Sequence, residues 1–171
     1  MSWSAHRRPA PKVDIQVRSS LWDAEPAAER TVREAIAAAA ALAPAAGEIS
    51  VVLTDDAAIG ALNHRWRGVD KPTNVLSFPA QAARPDVAEP LLGDIVIAYE
   101  TLARESAEEQ KPLRHHLAHL AVHGFLHLLG YDHQNDSQAS AMEGLERDIL
   151  ARLEIEDPYR ARELRLEPGG A

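Results

Sequence analysis

The 171 residues contain no cysteine. That excludes disulfides and thiolate metal sites, and leaves histidine and carboxylate as the side chains able to bind a transition metal. Long apolar runs are missing too. The longest, AIAAAAALAPAA, spans residues 35–46 and carries Pro44, well short of the roughly 20 residues a spanning helix needs. The opening stretch MSWSAHRRPAPKVD has basic residues but no apolar h-region, so it does not read as a secretory signal. The expectation is a protein that spans no membrane and works in a reducing cytoplasm. Positive charge is scarce: the formal net charge of -8 weighs against nonspecific nucleic-acid binding through a broad basic face. If RNA is the substrate, the contacts must come from a few concentrated cations.

What is present fits one domain, long enough to bury roughly two thirds of the surface of its unfolded chain. DIQVRS (14–19) alternates as a half-buried strand does. An alanine-rich run from Pro26 to Leu42 reads as a helix, ended by Pro44 and Gly47. EISVVLT (48–54) is a β-branched strand, and Asp55 or Asp56 can cap a helix that runs through about Arg67. NVLSFP (74–79) and LGDIVIAYE (92–100) are two further strands, joined by a surface loop over AQAARPDVAEPL. Helices are then expected over 100–109, from Pro112 to Leu129, and over 136–153. Strands early and helices late predict an α+β fold, with helices packed on one side of a small mixed sheet. Residues 1–160 would form the single domain and 161–171 a flexible tail.

Five of the eight histidines fall in the helix from Pro112: His115, His116, His119, His123 and His127. Residues four apart sit one turn above each other and can converge on one ion, whereas His119 and His127, eight apart, cannot. His123 and His127 are the preferred pair, because Gly130 follows where a positive φ ends the helix and swings His133 back. The resulting H-x3-H-x5-H set presents three nitrogens and leaves a coordination position for water, as catalytic zinc sites do. Imidazole ligands also suit copper, iron and nickel. His119 would lie behind the ligands or simply pack, and His115 and His116 are expected in solvent. Asp132 either orients an imidazole or the bound water, or caps the bend. Met142, at helical spacing with Leu145 and Ile149, reads as core.

Zinc peptidases with the H-E-x-x-H pattern use the glutamate after the first histidine as general base. Gly124 occupies that place, which weakens a peptidase reading by the roughly 10²- to 10⁴-fold such a base contributes. A phosphodiester needs less from a separate carboxylate if water on the metal, or an RNA 2′-OH beside it, is the nucleophile and an arginine stabilises the phosphoryl charge. LNHRWRGVDKPTNVLSFP (62–79) supplies the candidates Arg65, Arg67 and Lys71 at a helix end, with guanidinium the better fork for a phosphate.

HLAVHGFLHLLGYDH, LNHRWRGVDKPTNVLSFP, LLGDIVIAYE and EDPY together resemble the YbeY family of bacterial rRNA maturation factors, in family order from about residue 50 to 159. The resemblance implies a zinc-dependent, single-strand-specific endoribonuclease that matures the 3′ end of small-subunit rRNA and acts in ribosome quality control. By motif position His123, His127 and His133 would hold one zinc ion per chain, and the family's functional arginine falls on Arg67. Trp66 stands where the family has tyrosine. The resemblance thus implies Arg67 as catalytic and substrate-binding, and the reading of the residues themselves adds Asp132 as a catalytic, proton-handling group and Arg65 and Lys71 as substrate-binding cations. Expected partners are precursor rRNA, the small ribosomal subunit, and a ribosomal protein or assembly GTPase. The alternatives are a zinc peptidase or amidase, or a ribosome-assembly binding module with a structural metal.

Overall fold

The structure is a computed structural model and describes residues 10–80 and 90–160. The elements follow as β1 (Lys12–Val17), a 3₁₀ turn (Ser20–Ala24), α1 (Ala28–Leu42), β2 (Glu48–Thr54), α2 (Asp56–Arg67), β3 (Val75–Pro79), β4 (Leu91–Ala98), α3 (Tyr99–Glu108), α4 (Leu113–Leu128) and α5 (Asp136–Arg152). The sheet runs β1-β2-β4-β3, with β1, β2 and β4 parallel and β3 antiparallel to β4. This is the α+β fold with a mixed sheet that the pattern predicts. Most of the loop expected over 80–91, and the expected tail, lie outside the described residues.

Two boundaries move for identifiable reasons. β1 ends at Val17 because Ser19 turns aside to cap the 3₁₀ segment, its Oγ accepting from the Leu21 N–H at 3.3 Å. β4 ends at Ala98, two residues before the expected end, because the starts of α2 and α3 cap each other. The Asp56 N–H donates to Glu100 Oε1 at 2.8 Å, while Asp56 Oδ1 accepts from the Thr101 backbone N–H at 3.2 Å and from its hydroxyl at 2.7 Å. These side chains satisfy donors that a bare helix end leaves unpaired.

The core lies mainly on one face of the sheet. Ile49, Val51 and Leu53 of β2 and Ile95 and Ile97 of β4 meet Val32 and Ile36 of α1, Leu117 and Phe125 of α4, and Met142 and Ile149 of α5. The one-sided packing expected from the element order does not hold. Ile59 of α2 packs with Leu76, Val96 and Ala98 on the opposite face. The unbroken buried run Ile95–Ala98 is what a strand covered on both faces carries, and α2 is its second cover. No helix of the described residues is long and apolar enough to cross a membrane.

Candidate metal centre

The second half of α4 and the bend beyond it carry the site. His123 and His127, one helical turn apart, bring their Nε2 atoms to 3.1 Å. Gly130 has φ +99°. Its N–H donates to the His127 carbonyl at 3.0 Å, and the next N–H, of Tyr131, reaches back to the Leu126 carbonyl at 3.1 Å. This paired closure needs a left-handed residue at its centre, which glycine supplies without a Cβ clash. The chain then returns His133, whose ring centroid lies 5.9 Å from that of His123 and 5.2 Å from that of His127. One ring nitrogen from each of the three falls within 4.8 Å of the others. They face a cavity of about 500 Å³ that Arg67, Asn74, Ser77 and Asp132 also line.

Whether these residues fit a metal is decided by their protons. Glu146 on α5 is fully buried (0% exposed) and its Oε1 lies 2.6 Å from His123 Nδ1. Burial alone would raise its carboxyl, but hydrogen bonds from His119 and His123 outweigh that and hold it at about 2. The carboxylate is therefore an acceptor only, so His123 donates an Nδ1 proton to it and turns Nε2 toward His127. Burial, then the charges of His123 and His133, push His127 below the ordinary imidazole value, toward the neutral form that binds metals. At 3.1 Å the two Nε2 atoms stand where a shared proton or a cation between them would hold them. Two nitrogens on one tetrahedral ion at about 2.0 Å would stand about 3.3 Å apart. The donor set fits a zinc-like cation.

Glu146 is the residue that pattern reading misses. Its Oε2 accepts from His119 Nε2 at 2.9 Å and from the Tyr159 hydroxyl, so a single buried carboxylate ties α4 to α5 and to the segment after it. The signal was available: Glu146 stands four residues after Met142 and three before Ile149, a charged residue on the buried face of a helix. His119, His123 and Glu146 also bring ligand atoms together. At 2.6 and 2.9 Å their atoms are spaced for shared protons, closer than two ligands of one ion.

Gly124 has a steric explanation. A Cβ there would lie 3.0 Å from Ile95 Cγ2 and 3.2 Å from Ser77 Oγ, so this position of α4 is pressed onto β3 and β4. Any side chain at 124 would meet Ile95 and Ser77 before it could extend further.

Of the three cationic candidates, Arg67 lines the cavity. Arg65 and Lys71 are exposed outside it, and the Arg65 guanidinium sits 5.3 Å from the Trp66 ring centroid. Asp132 does cap the bend, its Oδ1 accepting from the His133 N–H at 2.8 Å, and it also lines the cavity. Met142 lies inside α5 and is core. The expectation that His116 faces solvent fails: it is 5% exposed, and its Nε2 pairs at 2.9 Å with Glu105, which also accepts from Asn74.

Fold and site together define an α+β protein with a three-histidine pocket that could hold a metal ion and that an arginine also lines. The chain belongs to the Endoribonuclease YbeY family, whose sequence profile matches residues 14–154. It is 55% identical over 155 residues to Endoribonuclease YbeY of Rhodopseudomonas palustris (strain BisB18), covering 87% of this chain and 92% of the relative. The corresponding protein of Bradyrhizobium sp. (strain BTAi1) is 54% identical over 162 residues, covering 91% and 96%. A Thermotoga maritima protein solved in solution shares the fold, with TM-score 0.59 at 21% identity over 93% of this chain and 99% of that one.

Proposed function

We propose that this protein is a zinc-dependent, single-strand-specific endoribonuclease that acts in the cytoplasm on the 3′ end of precursor small-subunit rRNA and serves ribosome quality control. Residues 1–160 would act as one domain, with the small ribosomal subunit and a ribosomal protein or assembly GTPase as partners. Family membership supports the reaction class. The observation that carries the metal is the facing Nε2 pair of His123 and His127, with the His123 proton committed to Glu146.

His123, His127 and His133 would hold the ion, one per chain. Bound there, zinc would supply Lewis acidity toward a phosphoryl oxygen and lower the pKa of water. Arg67 engages the scissile phosphate or its neighbour from across the cavity, forking onto two oxygens and offsetting the charge that builds in the transition state. Asp132 is the single carboxylate among the described lining residues. With Oδ1 committed to the His133 N–H, Oδ2 is the oxygen left to handle a proton. Arg65 and Lys71 add positive potential at the cavity's edge. Glycine at 124, packed tightly against Ile95 and Ser77, weighs against a peptidase, because it cannot supply the usual general base.

The test is incubation of metal-defined protein with a precursor rRNA 3′ fragment beside an Arg67→Ala control. Wild-type protein should cut the fragment. The variant should keep its metal and melting temperature while losing about 10²- to 10³-fold in rate. Equal cleavage by the two would remove Arg67 from the mechanism, and a wild-type protein that leaves RNA intact would overturn the reading.

A further inference from the structure

Trp66 is the most exposed of the large apolar side chains among the described residues, at 61%, whereas Trp22 is 3% exposed in the core. A single exposed apolar residue is ordinary. The surroundings of this one are not. It lies in the last turn of α2 between Arg65, whose guanidinium sits over the indole at 5.3 Å, and Arg67, which lines the three-histidine cavity. Phe78 of β3 is its packed neighbour, with centroids 6.2 Å apart at a tilt of 59°, so the ring is braced by the sheet. A braced indole with a cation over it and a phosphate-binding arginine next in sequence is the combination that single-stranded nucleic-acid sites use, because every base offers a π face to an aromatic plane.

A second cavity, about 1170 Å³, meets the first at Asn74, Val75 and His123. Glu105, Glu108, Glu109, Glu156 and Asp157 line it against the cations Lys111 and Arg160. An excess of carboxylate repels a phosphodiester chain. From Arg67 a strand therefore has one cationic, aromatic path, over Trp66 and Arg65, and one acidic path beyond Asn74.

We infer that Trp66 is a base-stacking platform: an unpaired base of the substrate stacks on the exposed indole, one step along the strand from the phosphate that Arg67 holds. This rests on the ribonuclease reading above and adds its substrate contact, an unpaired base recognised by stacking and without sequence preference. Base pairing would hide the face of the base, so the platform also gives a physical basis for preferring single strands.

The experiment measures binding of a labelled, cleavage-resistant 2′-O-methyl single-stranded oligonucleotide to metal-loaded full-length protein by fluorescence anisotropy. Wild type, Trp66→Ala and Trp66→Phe are each titrated with the intact strand and with one carrying abasic positions, and the unmodified strand is tested for cleavage alongside. Trp66→Ala should weaken binding of the intact strand by about 5- to 150-fold, Trp66→Phe should recover most of it, and the abasic strand should bind wild type and Trp66→Ala alike. Undiminished affinity in Trp66→Ala overturns the platform, as does an equal loss on the abasic strand or a Phe variant as weak as Ala. Undiminished affinity together with altered self-association would mark the indole as a protein contact instead. If wild type neither binds nor cuts RNA, the ribonuclease reading fails and the platform with it; if wild type cuts and Trp66→Ala binds equally well, the platform alone fails.

Discussion

Glu146→Gln replaces a fully buried carboxylate with an amide of nearly the same volume, so it leaves no hole and isolates hydrogen bonding. The carboxylate now takes His123 Nδ1 at 2.6 Å on one oxygen, and His119 Nε2 at 2.9 Å with the Tyr159 hydroxyl on the other. Glutamine has one acceptor oxygen, so its NH₂ must face either the His123 N–H or the His119 and Tyr159 pair. One buried donor-to-donor contact costs about 1–3 kcal/mol, and the charge assistance of the remaining bonds is lost as well. A destabilisation of about 2–4 kcal/mol follows, a fall in melting temperature of roughly 5–15 °C for a chain this long. His119 cannot adapt cheaply by changing tautomer, since its Nδ1 is buried without a partner. His123 would lose the acceptor that fixes its proton on Nδ1, and metal affinity should drop by about 10- to 100-fold. Urea unfolding and zinc titration against a chromophoric chelator at pH 7.5, where the wild-type carboxylate is ionised, measure the two effects separately. Wild-type zinc affinity in a destabilised variant would mean that Glu146 serves the fold alone. Wild-type values of both would refute the hydrogen-bond argument.

Other perturbations have equally definite expectations. Gly124→Ala gains about 1 kcal/mol of helix propensity but brings a methyl to 3.0 Å from Cγ2 of Ile95, a fully buried strand residue; overpacking of about 1–3 kcal/mol should win, and a stabilised variant in urea would show that the sheet yields. Burial lowers the pKa of His116, against the opposing hydrogen bond to Glu105. Below about pH 6.5 the unfolded chain takes up a proton that the folded one refuses, so this contribution to stability is present at higher pH and is lost as pH falls. His116→Gln should flatten the decline in melting temperature between pH 7 and 5, and an unchanged slope would contradict it.

Local pattern carried most of the fold. β2 is found where its β-branched run ends at Asp55, and α4 stops at the glycine expected to stop it. What local pattern could not carry were arrangements fixed by distant partners. β4 looks like a strand through Glu100, and only the exchange of caps with Asp56 ends it at Ala98. α2 has an apolar stripe like its neighbours, but which face of the sheet it covers depends on strand order, which no single segment encodes. At the site, the spacing of His123, Gly130 and His133 was readable because a helix and a glycine turn set it locally. Glu146 shows in the pattern only as a charge on the buried face of α5, and the partners that explain it lie 23 and 27 residues away. His116 escaped for the same reason, since Glu105 sits on another helix.

The central claim is that His123, His127 and His133 gather around one cation, and metal stoichiometry tests it most directly. Elemental analysis of purified wild type and His133→Ala, after dialysis against a weak chelator, is the measurement. His133 is exposed, so its removal should leave the far-ultraviolet circular dichroism unchanged. About one zinc per wild-type chain and a small fraction of that in the variant is the predicted result. Full occupancy in His133→Ala, or no metal in a wild-type protein that cuts RNA, would contradict the account.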